Sequence, residues 1–91
     1  MKNNGVSYEV WITIVNDDTR EIVNLHKYYW PDTVVLPIGT MVNTGVLNVE
    51  VCAQFFNSQK GIFTNKCKPY WAKNEDFYKH VEFLKQIGWE L

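Results

Sequence analysis

Residues 47–68 read LNVEVCAQFFNSQKGIFTNKCK, and this stretch decides the fold. Apolar residues alternate with other residues along its first half, a period of two that is typical of a β-strand. The residues Ser58-Gln59-Lys60-Gly61 interrupt the pattern, and strand-forming side chains resume after them. The stretch therefore predicts two antiparallel strands joined by a tight turn.

The register of this hairpin depends on the length of its loop. Gly61 suits the left-handed residue that closes a three-residue loop after a type I turn, and we favour that loop. It places Ala53 opposite Cys67, whereas a loop of two or four residues places Cys52 opposite Cys67. The favoured register groups these residues on one face: Val51, Ala53, Phe55, Phe63 and Cys67.

A second hairpin is predicted upstream of this stretch. Residues 6–15 alternate between an apolar face and a mixed face, which is the clearest strand pattern in the chain. Asn16-Asp17-Asp18-Thr19 is typical of a turn, and a strand pattern resumes over residues 21–29. Pro31 then breaks the pattern, and short extended pieces at 33–36 and 40–44 lead to residue 47.

The last eighteen residues carry the signals of a helix. Apolar residues recur at helical spacing from Glu75 to Ile87, with Asn74 expected as the N-cap. Gly88 suits the left-handed position that ends a helix, so that Trp89 can fold back onto the last turn.

These elements predict an α+β fold. We expect an antiparallel β-meander, or a small SH3-like half-open barrel, of four to five strands with one C-terminal helix packed on it. Residues 1–91 form a single domain: 1–5 are expected to be frayed, 6–69 are β-rich and 74–88 hold the helix.

Composition excludes several classes of protein. Hydrophobic residues make up 46% of the chain, which argues against disorder, and the net charge of −1 argues against a general polyanion binder. There is no apolar run of eighteen residues to span a membrane. The sequence MKNNGVSYEV lacks the apolar core of a secretory signal, so we expect a cytoplasmic protein.

The residues that could support catalysis or bind a metal are few and scattered. They are His26, His80, Cys52 and Cys67. No nucleophile stands in a recognisable catalytic motif, and the chain lacks the closely spaced ligand pairs of zinc sites. We therefore predict no catalytic residues, no metal and no cofactor. The cysteines are expected as reduced thiols in the cytosol, with a cross-strand disulfide as the alternative.

Clustered aromatic residues give the main functional signal. A sheet covered by one helix leaves part of its surface open, and Tyr and Trp are enriched at interfaces. We predict a non-enzymatic accessory protein, such as an inhibitor or adaptor, that docks on a protein partner or on a second copy. The residues expected to bind are Tyr28, Trp30, Tyr70 and Trp71.

The alternative function is binding of single-stranded nucleic acid. The segment from Lys60 to Lys73 combines lysines with aromatic rings and contains no acidic residue. Lysines bind phosphates, and aromatic rings stack on bases. Lysines on a strand also keep a sheet edge soluble, which is the other explanation of these residues. The residues expected for this function are Lys60, Phe63, Lys66, Lys68 and Lys73.

Overall fold

The computed structural model describes residues 7–29 and 37–91. The elements of these residues are β1 Ser7–Asn16, β2 Ile22–Tyr29, β3 Met41–Asn43, β4 Asn48–Asn57, β5 Ile62–Cys67, β6 Tyr70–Ala72 and α1 Asn74–Gln86. The predicted frayed end at 1–5, the break at Pro31 and the extended piece at 33–36 lie outside the described residues.

The strands form one open, mixed sheet in the order β2-β1-β5-β4-β3. Strand β1 pairs antiparallel with β2, but its other edge pairs in parallel with β5 and then with β6. The α+β class with a C-terminal helix is confirmed, but the described strands number six rather than the expected four to five, and the expected meander and half-open barrel are not found. The reason is that β1 is an interior strand of the sheet, so a strand distant in sequence pairs along its second edge.

The hairpin of β4 and β5 has a different register from the predicted one. Asn57 pairs with Ile62, so the loop holds four residues rather than three. A bulge at Cys52 then shifts the pairing, and Val51 rather than Ala53 lies opposite Cys67. The predicted single face is therefore split, because the bulge turns Ala53 and Phe55 to the opposite side from Val51 and Cys67.

Asparagine side chains explain the longer loop. Oδ1 of Asn57 accepts hydrogen bonds from the backbone N–H groups of Gln59 and Lys60, and Gly61 closes the loop at φ 67°. The loop between β1 and β2 uses the same chemistry, because Oδ1 of Asn16 accepts from the two backbone N–H groups of residues 18 and 19. Such local bonds hold the chain in a turn that glycine alone would not specify.

One face of the sheet packs against α1 and forms the core. The buried apolar residues of this core are Val10, Ile12, Ile14, Leu25, Leu47, Val49, Val51, Cys67, Ala72, Phe77, Val81, Leu84 and Trp89. The even-numbered residues of β1 point to this face, so its odd-numbered residues point to the other.

Both ends of α1 are tied to the sheet. The N-cap is Lys73 rather than the predicted Asn74, and the backbone N–H of Asn74 donates to Oδ2 of Asp18 at 2.8 Å. At the other end Gly88 has φ 108°, and the backbone N–H of Trp89 donates to the carbonyl of Leu84. The predicted return of Trp89 is confirmed, because its side chain is buried in the core.

Candidate functional site: the open face of the sheet

The side of the sheet opposite α1 carries the candidate site, and we call it the open face. No described helix packs on it, because α1 lies on the other side. Alternation along the strands and the register between them place these side chains there: Glu9, Trp11, Thr13, Val15, Asn24, His26, Tyr28, Phe55, Thr64, Lys66 and Trp71.

A buried carboxylate lies at the centre of this face. Glu9 is only 8% exposed, and its Oε2 accepts hydrogen bonds from Nε1 of Trp11 at 2.8 Å and from Oγ1 of Thr64 at 2.6 Å. Both donors are neutral, and no cation of the described residues forms an ion pair with Glu9. The carboxylate therefore fixes the orientation of an indole ring and a hydroxyl group from two neighbouring strands.

An aromatic stack holds Trp11 from the side of β2. The Trp11 and His26 rings are stacked with centroids 4.4 Å apart, and the Tyr28 ring meets His26 edge-on at 5.4 Å. The backbone of His26 also pairs with Glu90, which brings the end of the chain to the outer edge of β2. We call this arrangement the clamp: Glu9 accepts hydrogen bonds from the Trp11 indole and the Thr64 hydroxyl, and the His26 ring stacks on Trp11.

One buried nitrogen of the His26 ring has no hydrogen bond. Nδ1 of His26 is buried and has no partner, and its Nε2 lies 3.9 Å from Oε1 of Glu90. A buried polar atom without a partner destabilises a fold, as does a buried carboxylate without a cation. Nδ1 of His26 and the carboxylate of Glu9 both lie beside Trp11. Groups whose burial lowers the stability of the fold are often found at functional sites.

A cleft of about 290 Å³ opens beside the Trp11 ring. Its lining residues are Trp11, Thr13, Asn24, Thr64 and Lys66. Oγ1 of Thr13 donates to Oδ1 of Asn24 at 2.7 Å, so the amide N–H groups of Asn24 remain available as donors. The exposed ammonium group of Lys66 adds a positive charge at the wall. The cleft therefore combines one aromatic wall with donors that suit an oxygen-rich ligand.

The predicted partner-binding residues do not share one surface. Tyr28 and Trp71 are both on the open face and about half-exposed, at opposite ends of β1. The guanidinium carbon of Arg20 lies 5.5 Å from the centre of the Trp71 ring. Tyr70 is half-buried on the helix side, where its ring meets His80, and Trp30 lies outside the described residues.

The predicted basic segment is also dispersed. Lys66 is opposite Trp11 on the open face, but Lys68 forms an ion pair with Glu50 at 3.3 Å. Lys60 lies in the hairpin turn and Lys73 at the start of α1. Phe63 points to the helix side, where its ring contacts those of Tyr8 and Phe56.

The two cysteines do not form a disulfide. Both thiols are free, Cys52 at the surface and Cys67 in the core. Burial, and to a smaller extent the nearby Cys52, raises the pKa of the Cys67 thiol to about 11. A thiol with this pKa is protonated at neutral pH and is a weak nucleophile.

Residues 7–29 and 37–91 contain no group of three or more His, Cys, Asp or Glu side chains that could hold a metal ion. Within the same ranges, no helix has the length and apolar character needed to cross a membrane.

The central residues of the site were missed by sequence reasoning. Glu9 and Trp11 stand on the mixed face of the clearest predicted strand, and that mixture of a carboxylate with a large ring was the available signal. His26 was considered only as a catalytic or metal-binding residue, because pairing with Trp11 requires the register of β1 and β2.

Comparisons with known proteins leave the site to be interpreted from its own geometry. No protein-family model, no curated protein and no solved structure matches this chain. The fold and the site together define a small α+β domain with an open, mixed sheet and a polar and aromatic face.

Proposed function

We propose that this protein is a small, non-enzymatic binding module that docks on a protein partner through the open face. The observation that carries the proposal is the clamped Trp11, set between a buried carboxylate and a histidine ring on a face that α1 does not cover. Binding to a larger protein would make the chain an accessory protein that acts as an inhibitor or an adaptor of that protein.

Exposed aromatic rings around Trp11 supply the contact area. Tyr28 on β2 and Phe55 on β4 are each more than half exposed. In the sheet, β2 is the neighbour of β1 and β4 is the neighbour of β5. Large rings held in fixed positions bind with little loss of side-chain freedom, and such residues dominate the energy of many interfaces. The open face therefore offers a rigid aromatic surface with polar groups between the rings.

Binding of single-stranded nucleic acid is the second candidate function. It is favoured by one observation, the position of Lys66 directly opposite Trp11 on the open face. A polynucleotide requires cations along the path of its backbone. Lys60 and Lys73 lie at other parts of the fold, and Lys68 is paired with Glu50. The arrangement thus supports a protein partner better.

Phe55 and Phe56 provide a matched test of the proposed surface. These neighbours on β4 are 56% and 55% exposed, and they point to opposite sides of the sheet. Phe55→Ser and Phe56→Ser therefore remove the same ring at the same exposure from two different surfaces. Each variant, and the wild type, is used to capture proteins from cell lysate with and without nuclease.

The proposal predicts one dominant captured protein that survives nuclease. Phe55→Ser should lose it and Phe56→Ser should retain it, while circular dichroism shows both variants folded. Retention by Phe55→Ser together with loss by Phe56→Ser would place the interface on the helix side and refute the proposal. Capture that disappears with nuclease would support the nucleic-acid function instead.

A further inference from the structure

We propose that the cleft beside Trp11 receives the carboxylate side chain of an aspartate or glutamate from the partner protein. This inference rests on the proposed function and names the chemistry of the segment that docks. The partner would present an acidic residue at the centre of its binding surface, with its methylene groups against the Trp11 ring.

Charge complementarity identifies the acidic group. Lys66 lines the cleft and forms no ion pair with any described residue, unlike Lys68. Asn24 lines the same cleft, and its amide N–H groups are free to donate because its oxygen already accepts from Thr13. An ammonium group and an amide provide the charge-assisted hydrogen bonds that a carboxylate prefers.

Two walls of the cleft, formed by Trp11 and Thr64, are held in place before any ligand arrives. Glu9 bonds to both Trp11 and Thr64, and each of these residues lines the cleft. Glu9 itself does not line the cleft, so its carboxylate does not face a ligand there directly. A wall that is ordered in advance reduces the entropy lost on binding.

The number of cations favours one carboxylate over a chain of phosphates. Lys66 is the one cation among the described residues that line the cleft, and Arg20, the other cation described on the open face, lies over the Trp71 ring at the end of β1. A single positive group in the cleft satisfies a single carboxylate, whereas successive phosphates require cations along the path of the backbone. The volume of about 290 Å³ also suits a side chain.

The test measures binding of short peptides to the uniformly ¹⁵N-labelled protein. The probes are Ac-Ala-Glu-Ala-amide and its neutral counterpart Ac-Ala-Gln-Ala-amide, with an oligothymidylate as the third probe. The reporter is the indole N–H signal of Trp11, assigned by its loss in Trp11→Phe. The matched variants are Lys66→Gln, in the cleft, and Lys60→Gln, in the distant hairpin turn.

The glutamate peptide should shift the Trp11 signal in a saturable way, and the glutamine peptide should bind at least about fivefold more weakly, as loss of a charge-assisted bond requires. Lys66→Gln should weaken binding of the glutamate peptide by a similar factor, and Lys60→Gln should leave that binding unchanged. Equal binding of the two peptides, or no effect of Lys66→Gln, would overturn the inference.

Tighter binding of the oligothymidylate, weakened by both lysine variants, would also overturn it in favour of nucleic acid. Failure of this inference can be distinguished from failure of the proposed function. If the peptides fail but the contrast between Phe55→Ser and Phe56→Ser holds, the open face still docks a protein and only the acidic anchor is wrong.

Discussion

Replacement of His26 by phenylalanine is expected to stabilise the protein, against the usual direction of single substitutions. The buried Nδ1 of His26 has no hydrogen-bond partner, whichever tautomer the ring adopts. Leaving a buried polar atom unsatisfied costs about 1–3 kcal/mol. Phenylalanine removes that atom and retains a flat ring to stack on Trp11 at the present 4.4 Å spacing.

The losses from this substitution are small. Nε2 of His26 lies 3.9 Å from Oε1 of Glu90, whose side chain is 72% exposed. An ion pair at such a site contributes about 0–1 kcal/mol. We expect a net gain of about 1–2 kcal/mol in the free energy of unfolding.

Urea denaturation followed by tryptophan fluorescence measures this gain, and calorimetry should show a rise in Tm of about 5–15 °C. His80→Phe is the matched control, because no nitrogen of His80 is both buried and unpaired. The control should change stability by less than about 0.5 kcal/mol. A loss of stability in His26→Phe, or equal changes in the two variants, would refute the reasoning.

Three further substitutions test the fold. Asn16→Ala removes two hydrogen bonds to the backbone of the turn and one to Oδ1 of Asn74, and should lower the free energy of unfolding by about 2–3 kcal/mol in chemical denaturation. Gly61→Ala forces a side chain into φ 67° and should cost about 1 kcal/mol in the same assay. Cys67 should make stability depend on pH. Its pKa of about 11 in the folded state exceeds the ordinary 9.0, so its contribution is complete below pH 9 and is lost between pH 9 and 11. This loss is at most about 2–3 kcal/mol, and Cys67→Ala should remove it from the measured pH profile. An unchanged profile, or neutral results for the other two variants, would contradict the packing described above.

Local patterns in the sequence predicted the strands and the helix well. The alternation over residues 6–15 corresponds to β1, and the helical spacing from Glu75 to Ile87 corresponds to α1. Gly88 ends the helix as expected, and Trp89 returns to the core. These features depend on neighbours in the chain, which the sequence displays directly.

The pairing of distant strands could not be predicted in the same way. The parallel contact of β1 with β5 joins residues more than fifty positions apart, and no local pattern specifies it. The bulge at Cys52 was hidden for a related reason, because it is a shift in the pairing of β4 with β5 that the residues around Cys52 do not display. The helix N-cap was misplaced by one residue because Asp18, from another turn, bonds to Asn74.

The candidate site also combines residues that local patterns predict with contacts that depend on the pairing of distant strands. Exposed aromatic residues were expected, and Tyr28 and Trp71 are exposed on the open face. The clamp around Trp11 combines Glu9 from β1, His26 from β2 and Thr64 from β5, so it exists only after the sheet is assembled. Single-residue reasoning could not find it.

The measurement that tests the central claim most directly is the footprint of a bound peptide on the open face. A peptide selected from a random display library for binding to the wild-type protein is added to the ¹⁵N-labelled protein, and amide and indole signals are recorded. We predict that the shifts concentrate at Trp11, Tyr28, Phe55 and Thr64, and that those of Phe56 on the helix side stay small. A footprint centred on the exposed residues Phe83 and Ile87 near the end of α1 would contradict the account.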